Sequence, residues 1–120
     1  MFDTEKTTLF KNVCRYLTVF VFFLCVSSAW AVSSKDYYQA GLGLYGSKDY
    51  DKAILYFNAA VKLDPQNAAA YQGLGNCYYA KGLYANALVD YKQVQHLRPS
   101  PQIDQFVAKI QTKVDGEKQV

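Results

Sequence analysis

The sequence predicts an all-α fold, an α-solenoid built from two helix-turn-helix repeats and a C-terminal capping helix. Residues 34–67 and 68–101 repeat each other at an offset of 34 residues, and such a period is typical of stacked helical units. Apolar residues recur at helical spacing within each copy, between clusters of turn residues. A further amphipathic segment, residues 102–114, follows the second copy and closes the array.

The duplication is carried by identical residues at matching positions of the two copies. Ordinary composition would give only about two identities over such a length. The aligned pairs are Tyr37 with Tyr71, Gly41 with Gly75, Tyr45 with Tyr79, Tyr50 with Tyr84, Ala53 with Ala87, Leu63 with Leu97 and Pro65 with Pro99. The two copies are therefore one structural unit used twice.

Turn residues set the bounds of four helices within the two copies. We expect helices over residues 34–45, 50–63, 68–80 and 84–97. Asn67 is placed to cap the third helix, because Asn accepts a hydrogen bond from a free backbone N–H in the first turn. Gly and Pro residues end each helix, since neither continues a helix easily. The breaks are Gly46-Ser47, Asp64-Pro65, Lys81-Gly82 and Arg98-Pro99.

The fifth helix is predicted from its start signal and its apolar stripe. Ser100 stands at the N-cap and Pro101 at the first helical position, where Pro lacks only an N–H that would be unpaired anyway. We expect the helix to end at Asp115-Gly116, which leaves residues 115–120 as a tail. Its apolar stripe would cover the exposed face of the second repeat, and it consists of Ile103, Phe106, Val107, Ile110 and Val114.

Each copy resembles the tetratricopeptide repeat (TPR), with its pattern W-x2-L-G-x2-Y, A-x3-F and P in 34 residues. Tyr replaces Trp at the first position of both copies, Ala40 replaces the large apolar residue, and Leu44 replaces Tyr. The matching residues of the first copy are Tyr37, Ala40, Gly41, Leu44, Ala53, Phe57, Ala60 and Pro65; those of the second are Tyr71, Leu74, Gly75, Tyr78, Ala87, Tyr91, Val94 and Pro99.

The resemblance implies a concave groove lined by the first helix of each repeat, and this groove is the expected site of peptide binding. In TPR proteins the fifth, ninth and twelfth positions of the repeat point into it, away from the packing positions. Tyr side chains give large contact area at low rotamer cost, and side-chain amides can pair with a peptide backbone. The residues at these positions are Tyr38, Leu42, Tyr45, Gln72, Asn76 and Tyr79.

The first 31 residues resemble a secretory signal peptide. Lys11 and Arg15 precede an apolar run over residues 16–26, and Ala29-Trp30-Ala31 has the small residues of a cleavage site. The run is shorter than the roughly 20 residues that span a membrane. We expect cleavage after Ala31 and export to the bacterial periplasm, or else an uncleaved inner-membrane anchor with the repeats outside the cytoplasm.

Composition and motifs argue against several classes of function. The net charge is only +3, from 13 basic and 10 acidic residues that are scattered along the chain, so no nucleic-acid partner is expected. One histidine, His96, and one cysteine in the repeats, Cys77, cannot fill a four-ligand metal site. The string from Gly41 to Gly46 reads G-x-G-x-x-G, but it lies within a predicted helix and has no preceding strand, so no dinucleotide cofactor is expected.

The sequence thus favours an exported, non-catalytic TPR adaptor that binds a protein or peptide partner in the groove, in an envelope assembly or secretion complex. The function is implied by the family resemblance, since fold alone does not fix function. Two alternatives remain open. The chain could be a scaffold subunit that associates with itself, because two repeats and a cap are close to the minimum for a continuous core. It could also be a glycan-binding module that stacks sugars on its tyrosines.

Overall fold

A computed structural model describes residues 7–16 and 31–120. The chain divides between Val32 and Ser33 into two units. In the first, residues 7–16 are helical and exposed, and among the described residues no helix has the length and apolar character needed to cross a membrane. The apolar run beyond Tyr16, and Ala29 and Trp30 of the expected cleavage site, lie outside the described residues.

The second unit consists of five α-helices and confirms the all-α fold. The first repeat contributes α1 and α2, the second contributes α3 and α4, and the capping helix is α5. Structure and expectation agree for α2, α3 and α4, and α1 is one residue longer than expected. The bounds are Ser34–Gly46 for α1, Tyr50–Leu63 for α2, Ala68–Ala80 for α3, Tyr84–Leu97 for α4 and Pro101–Lys118 for α5.

The pattern of helix contacts makes the array curve. Each helix packs against the next one along the chain, and α1 also contacts α3. The second helices of the two repeats, α2 and α4, do not contact each other. The first helices therefore lie side by side on the inner, concave side, while the second helices spread apart on the outer side.

Glycines allow the helices to approach closely around one phenylalanine ring. Phe57 on α2 is fully buried, and Gly41 on α1 and Gly73 on α3 both face its ring. A Cβ atom at either glycine would lie 2.7 Å from a ring carbon. A Cβ atom at Gly75 would likewise lie 2.6 Å from a ring carbon of Tyr91. The glycine of the TPR pattern, Gly41 in the first repeat and Gly75 in the second, thus serves close helix packing.

The same turn joins the two helices of each repeat. Lys48 has φ 60° in the first repeat and Gly82 has φ 76° at the corresponding place in the second. The next residue, Asp49, donates its backbone N–H to the carbonyl of Leu44 over 3.0 Å, and Leu83 repeats this with Tyr78 over 2.9 Å. Lys48 thus adopts a left-handed conformation that is easy only for glycine.

Hydrogen bonds at the helix starts confirm the predicted caps. Asn67 accepts from the backbone N–H of Ala70 over 3.1 Å, and its amide donates to the Ser34 hydroxyl over 3.0 Å. That hydroxyl in turn donates to the carbonyl of Ala60 over 2.9 Å. Ser100 caps α5 through the N–H of Ile103 over 3.3 Å. These hydrogen bonds, from Asn67 through Ser34 to Ala60, tie the start of α3 to both helices of the first repeat.

The capping helix is longer than the sequence predicted. The expected end at Asp115-Gly116 is wrong, because α5 continues to Lys118. Gly116 does not adopt a positive φ, so it does not form a left-handed helix end. An exposed interior glycine costs only about 1 kcal/mol, and Glu117 and Lys118 favour the helix that continues around it.

Candidate functional site: the concave inner face

The six residues expected in the groove lie on the two helices that form the inner side. Tyr38, Leu42 and Tyr45 belong to α1, while Gln72, Asn76 and Tyr79 belong to α3. Because residues four and seven apart share one side of a helix, each set forms a stripe, and the contact between α1 and α3 places the stripes next to each other. Leu42 is 39% exposed and Gln72 is also exposed, so these two are the most open.

The tyrosines are less free than the sequence predicted. The ring centroids of Tyr38 and Phe57 are 5.9 Å apart, and those of Tyr45 and Tyr50 are 5.6 Å apart. Both pack against the core formed around Phe57. The expectation that they point away from the packing positions is therefore wrong. Each groove position lies one residue, about 100°, from a packing position, and a tyrosine ring is large enough to reach both surfaces.

Asn76 is engaged by a hydrogen bond from within the fold. The hydroxyl of buried Tyr91 on α4 donates to the side-chain oxygen of Asn76. Burial, with the nearby Tyr45 and Tyr79, raises the pKa of Tyr91 to about 12, so this hydroxyl stays protonated near neutral pH. Only the NH2 group of Asn76 remains as a donor to a ligand.

The capping helix closes the groove beside Tyr79. The ring centroid of Phe106 on α5 lies 5.6 Å from the ring centroid of Tyr79 and 4.6 Å from that of Tyr91. Lys113, also on α5, places its Nζ 4.9 Å from the ring centre of Tyr84 and 6.0 Å from that of Tyr79. Sequence reasoning missed these groove contacts of Phe106 and Lys113, although their spacing of seven residues places both on one side of α5.

This arrangement gives the inner face a graded chemistry. The α1 side presents an apolar and aromatic surface, the middle presents the amides of Gln72 and Asn76, and the α5 side ends in the ammonium group of Lys113. Amides can pair with a peptide backbone, and the apolar side can take a partner's aliphatic or aromatic side chain. The face can therefore bind a peptide segment by complementarity.

Cys77 lies outside this face. Its side chain is fully buried, and burial raises the pKa of the thiol to about 11. A thiol in that state has little thiolate and low reactivity. Cys77 therefore acts as a small apolar residue in the core around Phe57, to which both repeats contribute.

Comparison with known proteins agrees with this architecture. The tetratricopeptide repeat family model matches residues 44–110. Superkiller protein 3 from Schizosaccharomyces pombe is 28% identical over 88 residues, which are 71% of this chain and 6% of that protein. The heat shock protein sti1 homolog of the same organism is 37% identical over 59 residues, 49% of this chain and 10% of that protein. The chain thus corresponds to a small part of each relative, and it belongs to the tetratricopeptide repeat family.

Proposed function

We propose that this chain is an exported, non-catalytic adaptor that holds a protein partner against its concave inner face, within an envelope assembly or secretion complex. The proposal is carried by the inner face itself, where each of two neighbouring first helices presents an exposed residue, Leu42 or Gln72, beside half-buried tyrosines. Membership of the TPR family supports protein–protein interaction as the coarse function. The bound segment would lie across α1 and α3.

Charge placed on the open part of the inner face tests this function. Leu42→Glu and Gln72→Glu change side chains that are exposed, so the fold should tolerate both. We expect the double variant to lose a partner that the unchanged chain retains in affinity capture from its native cells. Ala108→Glu is the matched control, because Ala108 is exposed on α5. It lies two residues from Phe106, a rotation of about 200° that places it on the side of α5 away from the groove. Equal retention by both variants would contradict the proposal.

Export is proposed on the N-terminal sequence pattern, an apolar run over residues 16–26 that precedes the expected cleavage site after Ala31. Sequencing the N-terminus of the protein isolated from its native cells tests this step. We expect Val32 as the first residue, in a periplasmic fraction. An intact N-terminus in a membrane fraction would support the anchored alternative, and an intact N-terminus in the cytoplasm would contradict export.

Self-association is the second candidate function, and exposed apolar residues on the outer helices favour it. Leu55 on α2 is 67% exposed and Val89, its counterpart on α4, is 68% exposed. Exposed apolar surface of this kind can mark an interface. Sedimentation over a range of concentrations decides between the candidates, because a scaffold subunit should assemble without a partner, and an adaptor should stay monomeric.

A further inference from the structure

A second candidate site lies away from the inner face. A cavity of about 340 Å³ opens beside α3 and α4 and is lined by Tyr78, Asn86, Val89 and Asp90. Tyr78 is two residues from Asn76 on α3, a rotation of about 200° around the helix. The cavity therefore lies on the opposite side of α3 from the groove, and the proposed adaptor function does not use it.

The carboxylate of Asp90 has no partner in the described array. Asp90 is half-buried, and the ion pairs among the described residues join Lys52 to Asp49 and Lys81 to Asp51. Burial raises the pKa of Asp90 to about 6, as expected for a carboxylate that is partly removed from water. A partly desolvated carboxylate without a counter-charge is costly, and it would gain from a cationic ligand.

The rest of the lining suits a planar cation. Asn86 stands one turn before Asp90 on α4 and adds an amide oxygen to the same side of the helix. Tyr78 contributes an aromatic ring and a hydroxyl, and Val89 contributes an apolar wall. Neither Asn86 nor Tyr78 forms a side-chain hydrogen bond within the described array. The cavity therefore offers several acceptors beside an aromatic surface.

Comparison of the two repeats shows that Asp90 replaces an aromatic residue. Its counterpart in the first repeat is Tyr56, whose ring packs against that of Tyr37 with 6.1 Å between the ring centroids. The second repeat keeps Tyr71 at the position of Tyr37 but has the shorter, charged Asp90 at the position of Tyr56. The change from an aromatic pair to a carboxylate beside a cavity is specific to the second repeat.

We propose that this cavity binds an arginine side chain of a partner protein, with the guanidinium group paired to Asp90 and stacked on Tyr78. Guanidinium is planar, binds carboxylates through two parallel hydrogen bonds and stacks on aromatic rings. A lysine ammonium group is a compact point charge and would use fewer of the acceptors. The site is independent of the inner face and gives the chain a second contact surface for proteins.

Carboxyl NMR of the full-length chain in detergent micelles tests the proposal, with aspartate carbons labelled with ¹³C and N-acetyl-arginine methylamide as the probe. We expect a saturable shift of the Asp90 carboxyl signal at millimolar probe, and a lower pKa of Asp90 in the saturated protein. The matched probe is N-acetyl-citrulline methylamide, which has a similar shape and no charge. It should give at least tenfold weaker binding.

Two variants separate binding from folding. Asp90→Asn removes the charge and Asp90→Tyr introduces the first-repeat residue; both should lose arginine binding, read from the Tyr78 ring signals, and keep the helical circular dichroism. Leu42→Glu should bind the probe normally, because it lies on the inner face. The proposal is overturned if arginine and citrulline bind equally, if a lysine probe binds as tightly as arginine, or if Asp90→Asn retains binding.

Discussion

The hydroxyl of Tyr91 donates a hydrogen bond to the side-chain oxygen of Asn76, at the two positions that hold Phe57 and Leu42 in the first repeat. One repeat therefore has an apolar pair and the other has a hydrogen-bonded pair at the same place. A mixed pair would leave the buried Tyr91 hydroxyl without an acceptor or Asn76 without its donor, and unmet groups of this kind cost free energy.

We predict strong coupling between these two residues. Asn76→Leu and Tyr91→Phe should each lower the free energy of unfolding by about 1 to 2 kcal/mol, because each leaves one partner unsatisfied. The double variant reproduces the first-repeat pair and should cost less than the sum of the two. Urea unfolding of all four proteins measures the coupling in a double-mutant cycle. Simple additivity of the two effects would show that the hydrogen bond contributes nothing.

The glycines around Phe57 give a second prediction. Gly41→Ala and Gly73→Ala should each lower the free energy of unfolding by about 2 kcal/mol, because the added Cβ would lie 2.7 Å from the buried ring. Gly43→Ala is the control, since a Cβ there meets nothing within 4 Å. It should instead raise stability by about 0.5 to 1 kcal/mol.

A smaller side chain at residue 57 checks the cause of that loss. In a Phe57→Leu background, Gly73→Ala should cost less than it does beside the phenylalanine ring, because the atoms that it would meet are gone. Thermal unfolding of the four proteins gives the comparison. An unchanged cost of Gly73→Ala in the Phe57→Leu background would point to the backbone of α3 and away from the ring.

The turn residues Lys48 and Gly82 predict opposite effects for reciprocal substitutions. Lys48→Gly should raise the free energy of unfolding by about 0.5 kcal/mol, because glycine relieves the left-handed strain at φ 60°. Glycine also makes the unfolded chain more flexible, which lowers stability, but the relief of strain is the larger effect. Gly82→Lys should lower it by about 1 kcal/mol. Thermal melting measures both changes. Effects of the same sign in the two turns would disprove this explanation.

Asp90 predicts a stability that depends on pH. Its pKa is raised by burial to about 6 in the folded chain and returns to about 4 on unfolding, so the folded state holds the proton more tightly. Asp90 therefore makes stability fall as pH rises from about 4 to about 6. Asp90→Asn should be more stable than the unchanged chain at pH 7, by on the order of 2 kcal/mol, and nearly equal to it below pH 4.

Urea unfolding of both proteins between pH 3.5 and pH 7.5 measures this difference. Comparing the variant with the unchanged chain removes the opposing effect of Asp36 and Asp49, whose pKa values are lowered by hydrogen bonds to Ser33 and Lys52 respectively. Those two groups are present in both proteins. A stability difference that does not change with pH would mean that Asp90 titrates normally in the folded chain.

The sequence predicted the first four helices well because each of them ends at a glycine turn or just before a proline. Asp64-Pro65 and Lys81-Gly82 end helices for reasons that hold in any context. Gly116 failed as an end signal, since a glycine without a left-handed turn costs little and α5 continues to Lys118. Local signals were reliable where proline or a turn enforced them.

The candidate site was only partly predictable. The repeat placed six residues on the inner helices, but no sequence pattern measures how far the rings of Tyr38 and Tyr45 reach into the core. The only trace of the link between Asn76 and Tyr91 in the sequence is a paired difference between the two repeats, because the first repeat has Leu42 and Phe57 at these positions. The position of Lys113 beside Tyr84 depends on how α5 packs, which no local pattern determines.

Photo-crosslinking from the inner face tests the central claim most directly. A benzoylphenylalanine residue would replace Leu42 or Gln72 in one set of cells, and Ala108 on α5 in a control set. We expect a distinct partner protein to crosslink from residues 42 and 72 and not from residue 108. Crosslinks only to a second copy of the chain, or the same products from all three positions, would contradict an adaptor that binds its partner in the groove.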